Sequence, residues 1–364
     1  MSLPTALSGK YLNYTAEPQW RGVSRLSAWE DRADRRWPAR AYELYEEARK
    51  IYQGLTSTQR EVIGNFRDKR RLFFNKLSLQ FKDALRPYKE DSMLGLRVPK
   101  YSPDKKDLSF RIIPQHALVT GSVALVLAEI FQNELVSEKL AREGIDWDQF
   151  SDYQKQQFTK EAIVEVVFGT ILQDPRKKSE IEFNQSDKEK RLAMLEVNGA
   201  SEQLINSVKN DDKLIRLTFE KLANEKVKSQ EYFAELGVNL THYGNPETIL
   251  KCARFAGMPV ADMLEPMPSV TYQPSLAEII ANLSDKFVQD TSITDLTARG
   301  EYALANYGGT SAEKEKVEKE YKFATQCAQE IAQKLGIPEN QLPDYLKEQL
   351  FNKIMAVQSD KPIV

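Results

Sequence analysis

The chain has 364 residues, 41% hydrophobic and 29% charged, enough apolar content for a sizeable core and too much for wholesale disorder. Its formal net charge of -2 gives no global pull toward nucleic acid or an anionic membrane. Two cysteines, Cys252 and Cys327, imply no disulfide framework.

The opening MSLPTALSGKYLNY lacks the apolar core of a signal peptide, so a cytoplasmic, reducing compartment is the expectation. Residues 1–24 read as irregular. A helical pattern follows from about Ser27 to Gln53, with Pro38 marking a break or a new first turn and Leu44, Ala48 and Ile51 at helical spacing. A second helical region runs from Thr56 to Tyr88 on an apolar stripe of Val62, Phe66, Phe73, Leu77, Phe81 and Leu85. Arg67, Lys69, Arg70, Arg71, Lys76 and Lys82 alternate with that stripe and read as a solvated face ahead of a phosphate-contacting one. Residues 89–113 are polar and proline-bearing, a linker or small hairpin.

Pro114 then opens a helix from Gln115 to about Val136, apolar on most of its circumference and therefore expected inside a bundle. Its longest apolar run, Ala117 to Phe131, is too short and too mixed to span a bilayer. His116, one of two histidines in the chain, lies in its first turn. After a polar stretch at 137–160 comes EAIVEVVFGTILQDPRKK, Glu161 to Lys178, an apolar helix that ends on Gln173, Asp174 and Pro175. An acidic residue there faces the negative end of the helix dipole, which weighs slightly against a purely structural role for Asp174. Helices resume over Lys188–Glu196 and Glu202–Leu222. His242 precedes Gly244 and Pro246, and a helix starts at Pro246 and stops at Gly257.

Residues 259–274 carry four prolines and read as an extended loop. Ser275–Gln289 is helical, with Asp285 opposite the Leu276, Ile280, Leu283 and Phe287 stripe. That placement suits a functional aspartate only if the helix is covered all round. Thr310 and Glu313 make a capping-box signature for a helix ending before Gly336, and a last helix runs from about Pro343 to Val357. With no repeats and few strand signals, the class is mainly α. No glycine-rich phosphate loop, zinc-type cysteine pair or nucleophile elbow is present.

The chemistry-bearing residues left are His116, Asp174, His242 and Asp285. Imidazole with carboxylate suits Mn, Fe, Ni or Zn, and a carboxylate-rich set suits Mg. In their order, QHALVTGSVALVLAEIF with His116, VVFGTILQDPRK with Asp174 and Lys177, and EIIANLSDKFV with Asp285, these stretches resemble the three motifs of the HD superfamily of metal-dependent phosphohydrolases. The resemblance covers about residues 110–300. It implies an HD-like helical domain over 111–300, with an N-terminal helical extension over 1–110 and a C-terminal helical segment over 301–364.

The resemblance also implies a single divalent ion held by His116, Asp174, Asp285 and, as a substitute ligand, His242. Asp174 and Lys177 would then be the catalytic residues, with Arg176 as a further phosphate contact. Asn282 and Lys286 are candidates for supporting or phosphate contacts. The substrate class is a nucleotide or another small phosphorylated molecule. One departure stands out: the family's central histidine is Gln173 here, a poor ligand for a transition metal. Two other readings stay open. One is a catalytically inactive HD-like module that binds a nucleotide or a protein; the other is an unrelated all-helical interaction protein with structural histidines and aspartates.

Overall fold

A segment that is apolar all round has to be surrounded, and such segments set the architecture here. The structure, a computed structural model, describes residues 56–86, 98–99, 110–111, 113–173, 183, 186–226, 230–257, 273–289, 292–307 and 311–364. The helix expected over 27–53 and the prolines of 259–272 lie outside the described residues. Among those described there are thirteen α-helices and two minimal strand pairs, so the protein is mainly α.

The chain order is α1 (Ser57–Gln80), β1 (Val98–Pro99), β2 (Phe110–Arg111), α2 (Ile113–Ile130), α3 (Gln132–Glu143) and α4 (Asp152–Ile171). Then come α5 (Lys188–Val197), α6 (Glu202–Val208), α7 (Asp212–Lys226), α8 (Gln230–Glu235), α9 (Pro246–Gly257) and α10 (Leu276–Lys286). The remainder is β3 (Val288–Gln289), β4 (Ser292–Ile293), α11 (Leu296–Tyr307), α12 (Ser311–Leu335) and α13 (Leu342–Ala356). β1 pairs antiparallel with β2, the small hairpin expected over 89–113.

Four helices, α2, α4, α9 and α10, pack on one another and form the centre. α12 packs along α10, while α1 and α13 cover α2. Phe66 of α1 stacks on Phe351 of α13 at 5.1 Å. The basic face of α1 is partly tied down, Lys69 and Lys76 donating to the backbone carbonyls of Val357 and Gln358 at 2.8 and 2.6 Å.

α10 is the most enclosed element. Ser275 accepts from the backbone N–H of Glu278, and Glu278 accepts in return from that of Ser275, a capping box that starts the helix. Glu138 of α3 accepts from the Leu276 N–H at 2.9 Å, so a further orphan donor at the helix start is satisfied from a neighbour. Every residue of α10 is buried, which meets the condition set by the position of Asp285. The helix expected to run on to Gln289 stops at Lys286, because Phe287 turns the chain into the β3–β4 hairpin and its carbonyl accepts from Thr294 at 2.8 Å.

Two other expected helices are broken. The one anticipated over 115–136 bends by 84° at Phe131 into α3. Phe131 is buried, whereas Gln132, Asn133 and Glu134 are exposed, so the chain leaves the interior where its pattern becomes amphipathic. The one anticipated over 202–222 splits because the Asp211 side chain accepts from the N–H groups of Lys213 and Leu214 and caps a fresh start at α7. The polar stretch 137–160 is largely helical: α3 reaches Glu143, and α4 begins at Asp152 behind a Ser151–Gln154 capping box.

Residues 183–226 hold a small core of their own, Phe183, Leu195, Ala200, Val208, Ile215 and Phe219, separate from the main one. Phe183 stacks on Phe219 at 4.1 Å. The span read as one HD-like domain therefore contains a helical unit with its own apolar centre. Both cysteines are free and buried. No single helix among the described residues is long and apolar enough to cross a membrane.

Glycines let α4 approach its neighbours closely. A Cβ on Gly121 would lie 2.5 Å from Ile171 Cγ1, and one on Gly169 would lie 2.5 Å from the Ile249 carbonyl oxygen and 2.6 Å from Cys252 Cβ. Gly169→Ala gains about 1 kcal/mol of helix propensity. It also forces α4 away from a backbone atom that no rotamer change can move. The expected result is a net loss of about 1–3 kcal/mol in urea unfolding; a variant as stable as the parent would refute the close α4–α9 contact.

Candidate functional site

The first turn of α2 and the last turn of α10 meet in the interior. His116 Nε2 lies 3.2 Å from Asp285 Oδ1, bringing together side chains 169 residues apart. His116 is 2% exposed and Asp285 9%. The other carboxylate oxygen, Oδ2, accepts from Lys286 Nζ at 3.0 Å. The same ammonium reaches Glu320 Oε1 of α12 at 2.5 Å. Arg299 of α11 is buried nearby, over the Tyr302 ring at 5.6 Å, and Tyr321 of α12 completes the group.

Burial alone would push the Asp285 carboxyl up. The Lys286 ammonium, the hydrogen bond from His116 and the Arg299 charge outweigh it and hold the group well below the usual carboxylate range. Burial likewise works against the Lys286 ammonium, but Glu320 and Asp285 outweigh that too and hold its pKa above that of a free lysine. Both are therefore ionised at neutral pH. Tyr321 is pushed up by burial, with Lys286 and Arg299 pulling the other way.

The residues singled out from sequence divide cleanly. His116 and Asp285 come together, and Lys286 joins them directly. Asn282 instead ties two helices, its amide donating to the Phe255 carbonyl at the end of α9 at 2.8 Å. Asp174, Arg176 and Lys177 lie outside the described residues. Gln173 is described: it is 7% exposed, and neither atom of its amide has a hydrogen-bond partner. It lies two residues beyond Ile171, which packs on Gly121 at the middle of α2.

His242 is elsewhere. It is exposed, in a single 3-10 turn (Leu240–His242), with Nε2 3.2 Å from Asn239 Nδ2. It lines an open groove of about 510 Å³ with Tyr153, Gln157, Glu161 and Val164 of α4. His242 thus faces the groove side of α4, and no hydrogen bond or ion pair among the described residues joins it to the His116–Asp285 pair.

A second buried charge cluster was not singled out from sequence. Lys139 of α3 pairs with Glu165 of α4, and Arg142 reaches the other Glu165 oxygen at 3.2 Å. Glu165 also accepts from the Asn245 N–H at 2.8 Å. Gly244, at φ 128, presses against it where a Cβ would collide. Tyr243 stacks on Phe168 at 4.0 Å and donates to Asp83 at 2.9 Å. Burial and that carboxylate push the phenol up to about 12. This cluster fixes the turn that carries His242. Its signal was legible, since Glu165 interrupts the apolar run AIVEVVFG.

The donor set is a partial fit to a metal. Two donors about 2.1 Å from a shared ion at right angles lie about 3 Å apart, close to the His116–Asp285 spacing of 3.2 Å. The ammonium already seated on Asp285 opposes a second cation. Among the described residues no three His, Cys, Asp or Glu side chains gather as a ligand set. The chain matches no family model, no curated protein and no solved structure.

Proposed function

We propose that the chain is a degenerate HD-like helical domain that binds a nucleotide or another small phosphorylated molecule, and that it does so without a divalent ion at the position where the family holds one. The observation that carries the reading is the seat of Lys286 between Asp285 and Glu320. The carboxylate that the family would offer to a metal is neutralised by the protein's own cation. The meeting of His116 with Asp285 supports the HD-like part, because these residues come from the stretches that resemble the first and third motifs. Gln173, in place of the family's imidazole, supports the loss of the metal.

A second reading, a single-ion phosphohydrolase held by His116, Asp174 and Asp285, is favoured by the 3.2 Å spacing alone. In that case the ion would polarise a phosphoryl oxygen and lower the pKa of a bound water. Metal analysis of the protein after exposure to Mn, Mg, Fe, Ni or Zn decides between the two. It is paired with nucleotide binding in the presence of a chelator and a panel of phosphorylated substrates. The expected outcome is no stoichiometric metal, binding that survives chelation, and no turnover. Stoichiometric metal together with hydrolysis abolished by Asp174→Ala would install the second reading instead. A chain that binds no phosphorylated compound would leave the cluster a structural one, as in an all-helical interaction protein.

A further inference from the structure

Arg299 lies one turn into α11 and is 5% exposed. Its Nε and Nη1 are both enclosed, and neither has a hydrogen-bond partner. Buried donors are almost always satisfied, and a guanidinium keeps its charge at any pH the fold survives. The carboxylates close by are committed elsewhere. Asp285 gives one oxygen to His116 and the other to Lys286, and Glu320 takes the same ammonium. Asp285 answers part of the guanidinium charge without bonding to it, so what stays unsatisfied is the pair of N–H donors. An oxyanion answers both, and a guanidinium is the side chain best suited to phosphate and carboxylate oxygens.

A second polar group without partners lies at the end of α4. Gln173 is enclosed at the end of α4 with both amide atoms unpartnered. An amide that offers a donor and an acceptor suits a hydroxyl or the edge of a heterocycle rather than a second charge. The guanidinium would be answered by an anionic group and the amide by a neutral polar one.

We propose that Arg299 is an anion-binding residue that takes a phosphoryl oxygen of the ligand held at the His116–Asp285 cluster. This rests on the reading above that the ligand is phosphorylated, and it names the residue that answers its charge. α11 thereby becomes part of the binding site rather than a helix packed outside it.

Two predictions separate this role from a structural one. A structural arginine stabilises the empty protein, so Arg299→Met would melt lower. An arginine kept for a ligand leaves the empty protein with buried N–H donors unsatisfied. Arg299→Met, with an apolar stem of comparable reach, should then melt at or above the parent in chloride buffer. Inorganic phosphate, titrated into the full chain at constant ionic strength, should raise the parent's melting temperature saturably where chloride does not. The phosphate dissociation constant should weaken about ten-fold or more in Arg299→Met. Arg299→Lys, which keeps the charge and loses the guanidinium geometry, should fall between them and serves if the methionine variant does not fold.

Isothermal titration with inorganic phosphate, and with a panel of nucleoside mono- and diphosphates, supplies the affinities. Arg299→Met melting lower in chloride with its phosphate affinity intact overturns the proposal. Nucleotide binding that is equal in parent and variants also overturns it, while leaving the binding function in place. A parent that binds neither phosphate nor any nucleotide of the panel overturns the binding function, and this proposal with it.

Discussion

Asp285→Ala is expected to cost the fold about 3–5 kcal/mol, the scale for breaking a buried ion pair by removing one partner. The carboxylate is almost fully enclosed and accepts from both His116 and Lys286. Its loss leaves Lys286 with Glu320 alone and removes a carboxylate whose charge Arg299 also feels, so positive charge accumulates where water is scarce. Asp285→Asn keeps the shape and one acceptor and should cost less, about 1.5–3 kcal/mol, as for a hydrogen bond to a charged group. Equilibrium unfolding in urea measures both.

The pH dependence of the same comparison tests the cause. The Asp285 carboxyl is held below its unfolded value of about 3.9. Its stabilisation is therefore complete above about pH 4 and is lost as pH falls further. The Lys286 ammonium is raised above its unfolded value of about 10.5, so its share is complete below that pH and fades only as pH rises beyond it. The gap between the parent and Asp285→Asn should thus be wide at neutral pH and narrow steadily below about pH 4. A gap that does not change with pH would mean that Asp285 is not held by charge.

Much of the fold was legible because burial leaves a pattern. α2 was readable as an interior helix from apolar residues on all sides, and α9 from Pro246 at its start and Gly257 at its end. The bend at Phe131 was not readable. It depends on which neighbour covers that ring, and nothing local forbids the helix from continuing. His116 and Asp285 could be paired because their motif order suggested it. Arg299, Glu320 and Tyr321 could not. They lie in DLTARGEY and EKEYKF, which read as solvated helical faces, and the packing of α12 on α10 and of α11 on α12 turns them toward the cluster. His242 misled because a histidine in a Gly/Pro turn is a fair ligand by type, while the Lys139–Glu165 cluster that fixes its position joins two helices distant in sequence from it.

Lys139→Met is the second large effect, again about 3–5 kcal/mol. Lys139 is 2% exposed and faces Glu165, Glu161 at 3.2 Å and Glu143 at 3.4 Å. Burial alone would lower its pKa, but these three carboxylates outweigh that and raise it, so the ammonium is charged in the fold. Removing it leaves the carboxylates with Arg142 as their remaining close cation, and Glu165 is as deeply buried as the lysine was. Pairing the change with Glu165→Leu removes the stranded carboxyl, which burial already pushes up, and should restore part of the loss, as apolar replacement of buried pairs does elsewhere. Recovery should stop about 1 kcal/mol short, because the Asn245 N–H loses its acceptor when Glu165 goes. The double-mutant cycle reports that coupling directly. Damage at Lys139 should loosen the turn that carries His242 and leave phosphate binding at Arg299 unchanged, since the two clusters share no hydrogen-bond or ion-pair partner. Loss of phosphate binding in Lys139→Met at a temperature where the variant is folded would mean that the two clusters act as one site.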